Sequence, residues 1–226
     1  MNRFTLKSFA AKHRTLWSDK FFIITAIIGV FFFALSLFVN YGAVKYTNIE
    51  AGNPTTDILL DNLPLVNTDF IFSEGALLFV IFVTILLILE PKTIPFTLKS
   101  VALFICIRSL FVIMTHLSPF PDHIIPDLDS LGYFSSGADL FFSGHVGMPF
   151  LLALLYWQQK NLRRLFLLSS LTAAVAVILG HLHYTIDVFS AFFITYGIYH
   201  IAQIVFPKDY QIFTHGLQSN PKIKGF

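Results

Sequence analysis

Two short stretches of this chain carry groups that could do chemistry. "SGHVG" (143–147) holds His145, and "HYTID" (183–187) holds His183 and Asp187. At i and i+4 the last two side chains share one helix face. A carboxylate bonded to one imidazole nitrogen fixes the tautomer and raises the basicity of the other nitrogen. A histidine so held serves as nucleophile or base, and a second histidine opposite it serves as general acid on a leaving oxygen. Ser143 and Gly144 add a hydroxyl and a close-approach position where a helix would start, with free backbone N–H groups suited to an anion. Taken singly, a Gly-His pair or a His–Asp helix pair is commonplace. Together, in a chain so poor in polar groups, they point to a reaction site. An aspartate deep in an apolar span also costs about 2.5–3.5 kcal/mol on insertion scales, so it needs a partner and a purpose.

The elements that must position these groups are membrane helices. Of 226 residues, 55% are hydrophobic and 12% charged, with 27 phenylalanines; a soluble domain carries about 25% charged residues. That balance excludes a soluble globular domain. A span needs about 20 mostly apolar residues, and six segments approach this: 21–39, 70–89, 96–117, 140–157, 165–182 and 184–206. The expected fold is all-α, a polytopic six-helix bundle over 21–206. A basic tail (1–20) precedes it and a second tail (207–226) follows, its "PKIKGF" end loose. In the first tail Leu6, Phe9, Ala10, Leu16 and Trp17 recur at helical spacing, which suits either a helix on the membrane surface or an unstructured basic tail. The single cysteine, Cys106, leaves no disulfide framework and no cysteine metal site.

Charge fixes an expected orientation. Lys and Arg crowd the first tail (Arg3, Lys7, Lys12, Arg14, Lys20), the 2–3 connection (Lys92, with Lys99), the 4–5 connection (Lys160, Arg163, Arg164) and the last tail (Lys208, Lys222, Lys224). The other side has Lys45 and acidic connections containing Asp57, Asp61, Asp69, Asp122, Asp127 and Asp129. The positive-inside rule then puts both termini in the cytoplasm. His145 lies about 18 Å from the inner end of its span by helical rise, and His183 opens the sixth span from outside. The two histidines and Asp187 are therefore expected at one depth, near the outer face.

With these residues in place, a resemblance becomes visible. "DLFFSGH" (139–145) is similar to the Asp-x-x-Phe-Ser-Gly-His stretch of the sphingomyelin synthase family, a branch of the type 2 phosphatidic acid phosphatase superfamily. "HYTIDVFSAFFITYGIYH" (183–200) is similar over a longer length. "RSLFVIMTHLSPFP" (108–121) resembles that family's Arg-containing third span and the proline loop after it. The good coverage is 108–200. The resemblance implies six spans, cytoplasmic termini and an exoplasmic site. It implies that His183, polarised by Asp187, attacks the phosphorus of a phospholipid headgroup ester while His145 protonates the departing diacylglycerol. A lipid hydroxyl such as that of ceramide then takes the phospho-headgroup from a phosphohistidine. The implied partners are a phospholipid donor and a lipid hydroxyl acceptor; no cofactor, metal or nucleic acid is implied. The phosphatase branch carries an Arg six residues before its second histidine, where this chain has Val177. That substitution disfavours a dianionic phosphomonoester, which normally needs several cations.

The candidate catalytic residues are thus His145, His183 and Asp187, and the candidate substrate-binding residues are Asp139, Ser143, Gly144, Arg108 and Tyr184. Arg108 falls mid-span, where it suits either a phosphate or carboxylate contact or a structural ion pair, for example with Glu74. Asp127 and Asp129 offer weak material for a divalent ion. Two alternatives stay open: a phosphatase or phospholipase C-like hydrolase of the same superfamily, and a transporter or scaffold using the histidines as a proton relay. The latter requires a polar path across the bilayer, and the inner halves of the spans read as almost wholly apolar.

Overall fold

A computed structural model describes residues 6–124 and 139–217. Asp127, Asp129 and "PKIKGF" lie outside the described residues. Among the described residues the chain is helical without strands: α1 (Leu6–Trp17), α2 (Lys20–Ile49), α3 (Asp69–Leu89), a 3₁₀ turn (Pro91–Thr93), α4 (Ile94–Thr115), α5 (Gly144–Leu155), α6 (Lys160–Leu179), α7 (Thr185–Val205) and α8 (Pro207–His215). By length and composition α2, α3, α4 with its leading turn, α6 and α7 are able to cross a membrane, and α5 is a shorter apolar helix. Many of their apolar side chains face outward, Phe38 and Phe193 at 75% and 78% exposure. That surface suits hydrocarbon rather than water, and the chain is a multi-pass membrane protein.

Two boundaries depart from the sequence expectation. α2 runs ten residues past Val39, because nothing between Asn40 and Ile49 breaks a helix and Ala43, Val44 and Thr47 find burial there. The fourth span is helical only from Gly144, with Ser143 at its N-cap. Residues 139–143, most of which were expected within that span, are not helical. Irregular backbone survives at such depth only where protein satisfies its polar groups. Here Arg108 and His183 take its carbonyls, as described below.

α4 is the axis. It packs against α2, α5, α7 and α8, and Leu110 and Met114 in its later turns still face outward. Its core side, with Phe104, Phe142, Val146, Leu151, Val188 and Ala191, is almost wholly buried. α5 comes unusually close to this layer at Gly147, where an added Cβ would stand 2.8 Å from both the Phe104 ring and Thr195 Oγ1. The second glycine of "SGHVG" is therefore a packing requirement. α6 and α7 are joined by a tight turn in which His181 takes a positive φ of 53° and its amide bonds Ile178 O.

The first and last described helices, α1 and α8, dock at the end of the bundle away from α5's N-terminus. α1 is tied by Lys12 to Glu90 at 2.7 Å and by His13 Nε2 to Ile88 O at 2.9 Å. Its Leu16 packs with Phe22 and Ile212. α8 inserts Asp209, Ile212 and Phe213 into the bundle. This end is also less apolar than the sequence suggests. Thr97, Lys99, Ser100 and Tyr156 are buried there, because the first turns of α4 are enclosed by its neighbours, whereas its exposed side chains, Cys106, Leu110 and Met114, come later in the helix. α8 covers them.

Candidate active site

The site is built around the non-helical stretch 139–143. Arg108, from α4, donates Nε–H to Phe142 O at 2.8 Å and an Nη2–H to Asp139 O at 3.0 Å. Its Nη1 meets the Asp139 carboxylate at 2.7 Å and 3.0 Å. On the other side, His183 Nδ1 lies 2.8 Å from Leu140 O, and Ser143 N donates to Asp187 O at 3.1 Å. Two elements thus staple five consecutive residues, and α5 starts immediately after them. Arg108 partners Asp139, not Glu74, which is exposed on α3. A guanidinium has five N–H donors; the three bonds to the stretch leave two for something else.

The contact at His183 fixes a tautomer. A backbone carbonyl can only accept, so the proton sits on Nδ1 and the lone pair on Nε2. No described residue partners Nε2. The sequence reading assigned this polarising role to Asp187, whose Oδ2 is farther from Nδ1, at 3.4 Å. That oxygen chiefly accepts from Tyr184 N at 3.0 Å, capping α7. Asp187 is wholly buried, and its Oδ1 has no protein partner. A negative group in a helix's first turn is favoured by the dipole, and it adds a charge behind the imidazole.

His145 stands in the first turn of α5. Its ring stacks on Phe72 of α3, with centroids 4.0 Å apart and planes at 29°, and it lies within electrostatic reach of His183 and Arg108. The Ser143 hydroxyl is fully buried and unpartnered. Beside it, the first N–H groups of α5 have no carbonyl of their own helix to bond. An added Cβ on Gly144 would press to 3.2 Å from Arg108 Nε, so this glycine allows the guanidinium to lie against the helix start. The result is a seat for an anion: orphan amides, a free hydroxyl and a cation.

A cavity of about 520 Å³ opens onto this seat, with Arg108, Asp139, Gly144 and His145 on its wall. The rest of the wall is mostly apolar, from Leu37 and Ile71 through Phe79 to Leu168. Ser143, His183, Asp187 and Tyr184 are not on that wall; His183 and Asp187 contact the backbone of the 139–143 stretch, through Leu140 O and Ser143 N. Tyr184, a candidate for substrate contact, has both sides of its hydroxyl occupied: it donates to Ser118 O at 2.9 Å and accepts from Thr55 N at 3.2 Å.

Sequence reasoning missed three contributors. Leu140 acts through its carbonyl, which no side-chain pattern encodes. Phe72 belongs to a run of phenylalanines that nothing local distinguishes. Asn40, on the cavity wall and bonded to Ser109 Oγ at 3.3 Å, is one of two amides in its apolar helix and lies deeper in it than Asn48, so it could have been singled out. Among the described residues no cluster of His, Cys, Asp and Glu has metal-ligand geometry.

Residues 137–204 match the family model described as PAP2 superfamily C-terminal. That stretch contains His145, His183 and Asp187, and the match suggests a lipid phosphatase or phosphotransferase type of activity. No curated protein and no solved structure matches the chain.

Proposed function

We propose that this protein transfers a phospho-headgroup from a glycerophospholipid to a lipid hydroxyl, as a sphingomyelin synthase-like enzyme does, on the exoplasmic face of its membrane. The observation that carries the reading is the stapled 139–145 stretch. It holds one imidazole (His145) on the wall of an apolar cavity beside a guanidinium, and a second (His183) with Nε2 carrying the lone pair. One free-handed cation suits the single charge of a phosphodiester better than the double charge of a phosphomonoester. An apolar cavity at membrane depth suits a lipid acceptor better than water.

In this reading the phosphate oxygens lie against Arg108, the α5 amides and Ser143. His183 Nε2 attacks phosphorus, forming an N–P bond, while Nδ1–H remains on Leu140 O. The P–O bond to diacylglycerol breaks, and protonated His145 gives its proton to that oxygen. The acceptor hydroxyl then attacks the phosphohistidine, and neutral His145 takes the hydroxyl proton. The N–P bond breaks, and both histidines return to their starting states. The donated and recovered protons balance, and no metal is called upon.

The test uses purified full-length protein in lipid nanodiscs with headgroup-labelled phosphatidylcholine or phosphatidylethanolamine, with and without ceramide or diacylglycerol. Labelled new lipid is expected, and His183→Ala is expected to reduce its formation about 10⁴-fold or more with thermal unfolding unchanged. Transfer retained by that variant would sink the mechanism. Release of a free phosphorylated headgroup without new lipid would reassign the protein to the hydrolase alternative.

A further inference from the structure

The side chains between His183 and Asp187 are held from outside their own helix. Asp57, in the α2–α3 connection, accepts Thr185 N on Oδ2 at 2.7 Å and the Thr185 hydroxyl on Oδ1. The same Oδ1 accepts Leu59 N at 2.9 Å and Leu60 N at 3.1 Å. One carboxylate therefore ends both a turn of the connection and the N-terminus of α7. Two residues earlier, Thr55 N bonds the Tyr184 hydroxyl at 3.2 Å. Leu60 packs with Leu140 and Tyr184 in one buried cluster. Leu140 is the residue whose carbonyl holds His183 Nδ1. The connection thus touches both partners of that bond: α7 through Asp57, and the carbonyl's own residue through Leu60.

We propose that Asp57 is a positioning residue for His183, clasping the α2–α3 connection onto α7 so that Nδ1 stays on Leu140 O and Nε2 stays presented. The proposal rests on the transfer reading for its chemistry and on the contacts above for its geometry. All four contacts on Asp57 come from donors, so a carboxylate satisfies them and a carboxamide turns an N–H group against one pair. Those hydrogen bonds also overcome the upward push of burial and hold the Asp57 carboxyl below the usual carboxylate range.

The experiment reads His183 itself. Purified full-length protein in nanodiscs is treated with diethyl pyrocarbonate, and carbethoxylation of His183 is followed by mass spectrometry beside transfer kinetics. Asp57→Asn and Thr185→Val are each expected to raise the labelling rate about tenfold and lower kcat about tenfold, with KM within about twofold. Their double variant should be no worse than the worse single, since both break one contact. Thr185→Ser, which keeps the hydroxyl, and Glu50→Gln, in the same connection, should behave as wild type. Wild-type labelling of His183 in Asp57→Asn, or multiplying effects in the double variant, would overturn the proposal. Should Asp57→Asn fail to fold, Thr185→Val decides by the same two readings. The labelling arm stands even where wild type transfers no headgroup, an outcome that removes the function proposed above and leaves the clasp.

Discussion

Lys99 and Arg108 are two buried cations on one helix, and they do different work. By helical geometry they lie on opposite faces of α4, about 13.5 Å apart along its axis. Lys99 sits in a closed triangle: Nζ donates to Asp209 Oδ2 at 2.6 Å and to Thr25 Oγ1 at 2.5 Å. That hydroxyl in turn donates to Asp209 Oδ1. All three are buried, and none lines the cavity. The cluster pins α8 and α2 to α4 and uses two of the ammonium's three donors, with Nζ lying over the Phe206 ring, 5.6 Å from its centroid. Arg108 is equally buried but staples a loop and still lines a cavity. The residue types explain part of this. A compact ammonium is consumed by a small cage, whereas a planar guanidinium binds on one edge and keeps donors on another. The surroundings explain the rest, because helix α8 caps Lys99 while the start of α5 stops short of covering Arg108.

The largest expected effect tests whether the difference is real. Replacing a buried ion pair by apolar residues of similar size is often neutral, whereas removing one partner costs about 3–5 kcal/mol. Lys99→Met should lose that much in thermal unfolding, and Lys99→Met/Asp209→Leu should recover most of it, with transfer nearly unchanged. Arg108→Met/Asp139→Leu should instead lose transfer about 10³-fold whatever its stability, because the proposed anion contact is gone. If that double variant keeps wild-type transfer, Arg108 is a second structural pair and the contrast collapses.

A smaller effect sharpens the contrast within the site. Gly144→Ala brings a methyl group to 3.2 Å from Arg108 Nε, so the guanidinium must shift by a few tenths of an ångström. Transfer should fall about tenfold, since catalytic geometry is sensitive to small displacements, while the unfolding temperature changes little. Unchanged transfer would mean that Arg108 does not act at the helix start.

The smallest expected effect lies in the pH dependence of stability. Asp57 is held below its ordinary value, so the folded state binds its proton less readily than the unfolded state, whose carboxyl titrates near 3.9. Its contribution is fully present above that value and is lost as pH falls through the lower, folded value. Asp57→Asn should remove this part of the acid-side slope and leave stability near neutral pH shifted by a constant. A slope identical to wild type below about pH 4 would show that the carboxylate gains nothing from its contacts.

How legible all this was depends on how local each feature is. His183 and Asp187 are one turn apart, so spacing alone puts them together, and His145 follows once topology sets its depth. The helix of α1 was one of two readings its spacing allowed, and its docking was not legible, because the contact with Glu90 joins positions 78 residues apart. The partner of Arg108 was misplaced for the same reason. Glu74 lies at a suitable depth, but it projects outward, and orientation about a helix axis is settled by packing. The shortened fourth span was hidden because "DLFF" is as apolar as a helix, and only the carbonyl demands of Arg108 and His183 explain why it is not one.

Composition and period alone determined that this chain is a set of membrane helices, since about 20 apolar residues in a row have no other stable use in water or lipid. Residue types and short spacings also singled out the candidate groups, His145, His183 and Asp187. The tertiary structure decided which partner each group meets: Leu140 O for His183 Nδ1, Asp139 for Arg108, Phe72 for His145 and Asp57 for the start of α7. Those pairings join positions far apart in the chain, and several run through backbone atoms common to every residue. Packing alone can bring such atoms together, and no sequence pattern marks them beforehand.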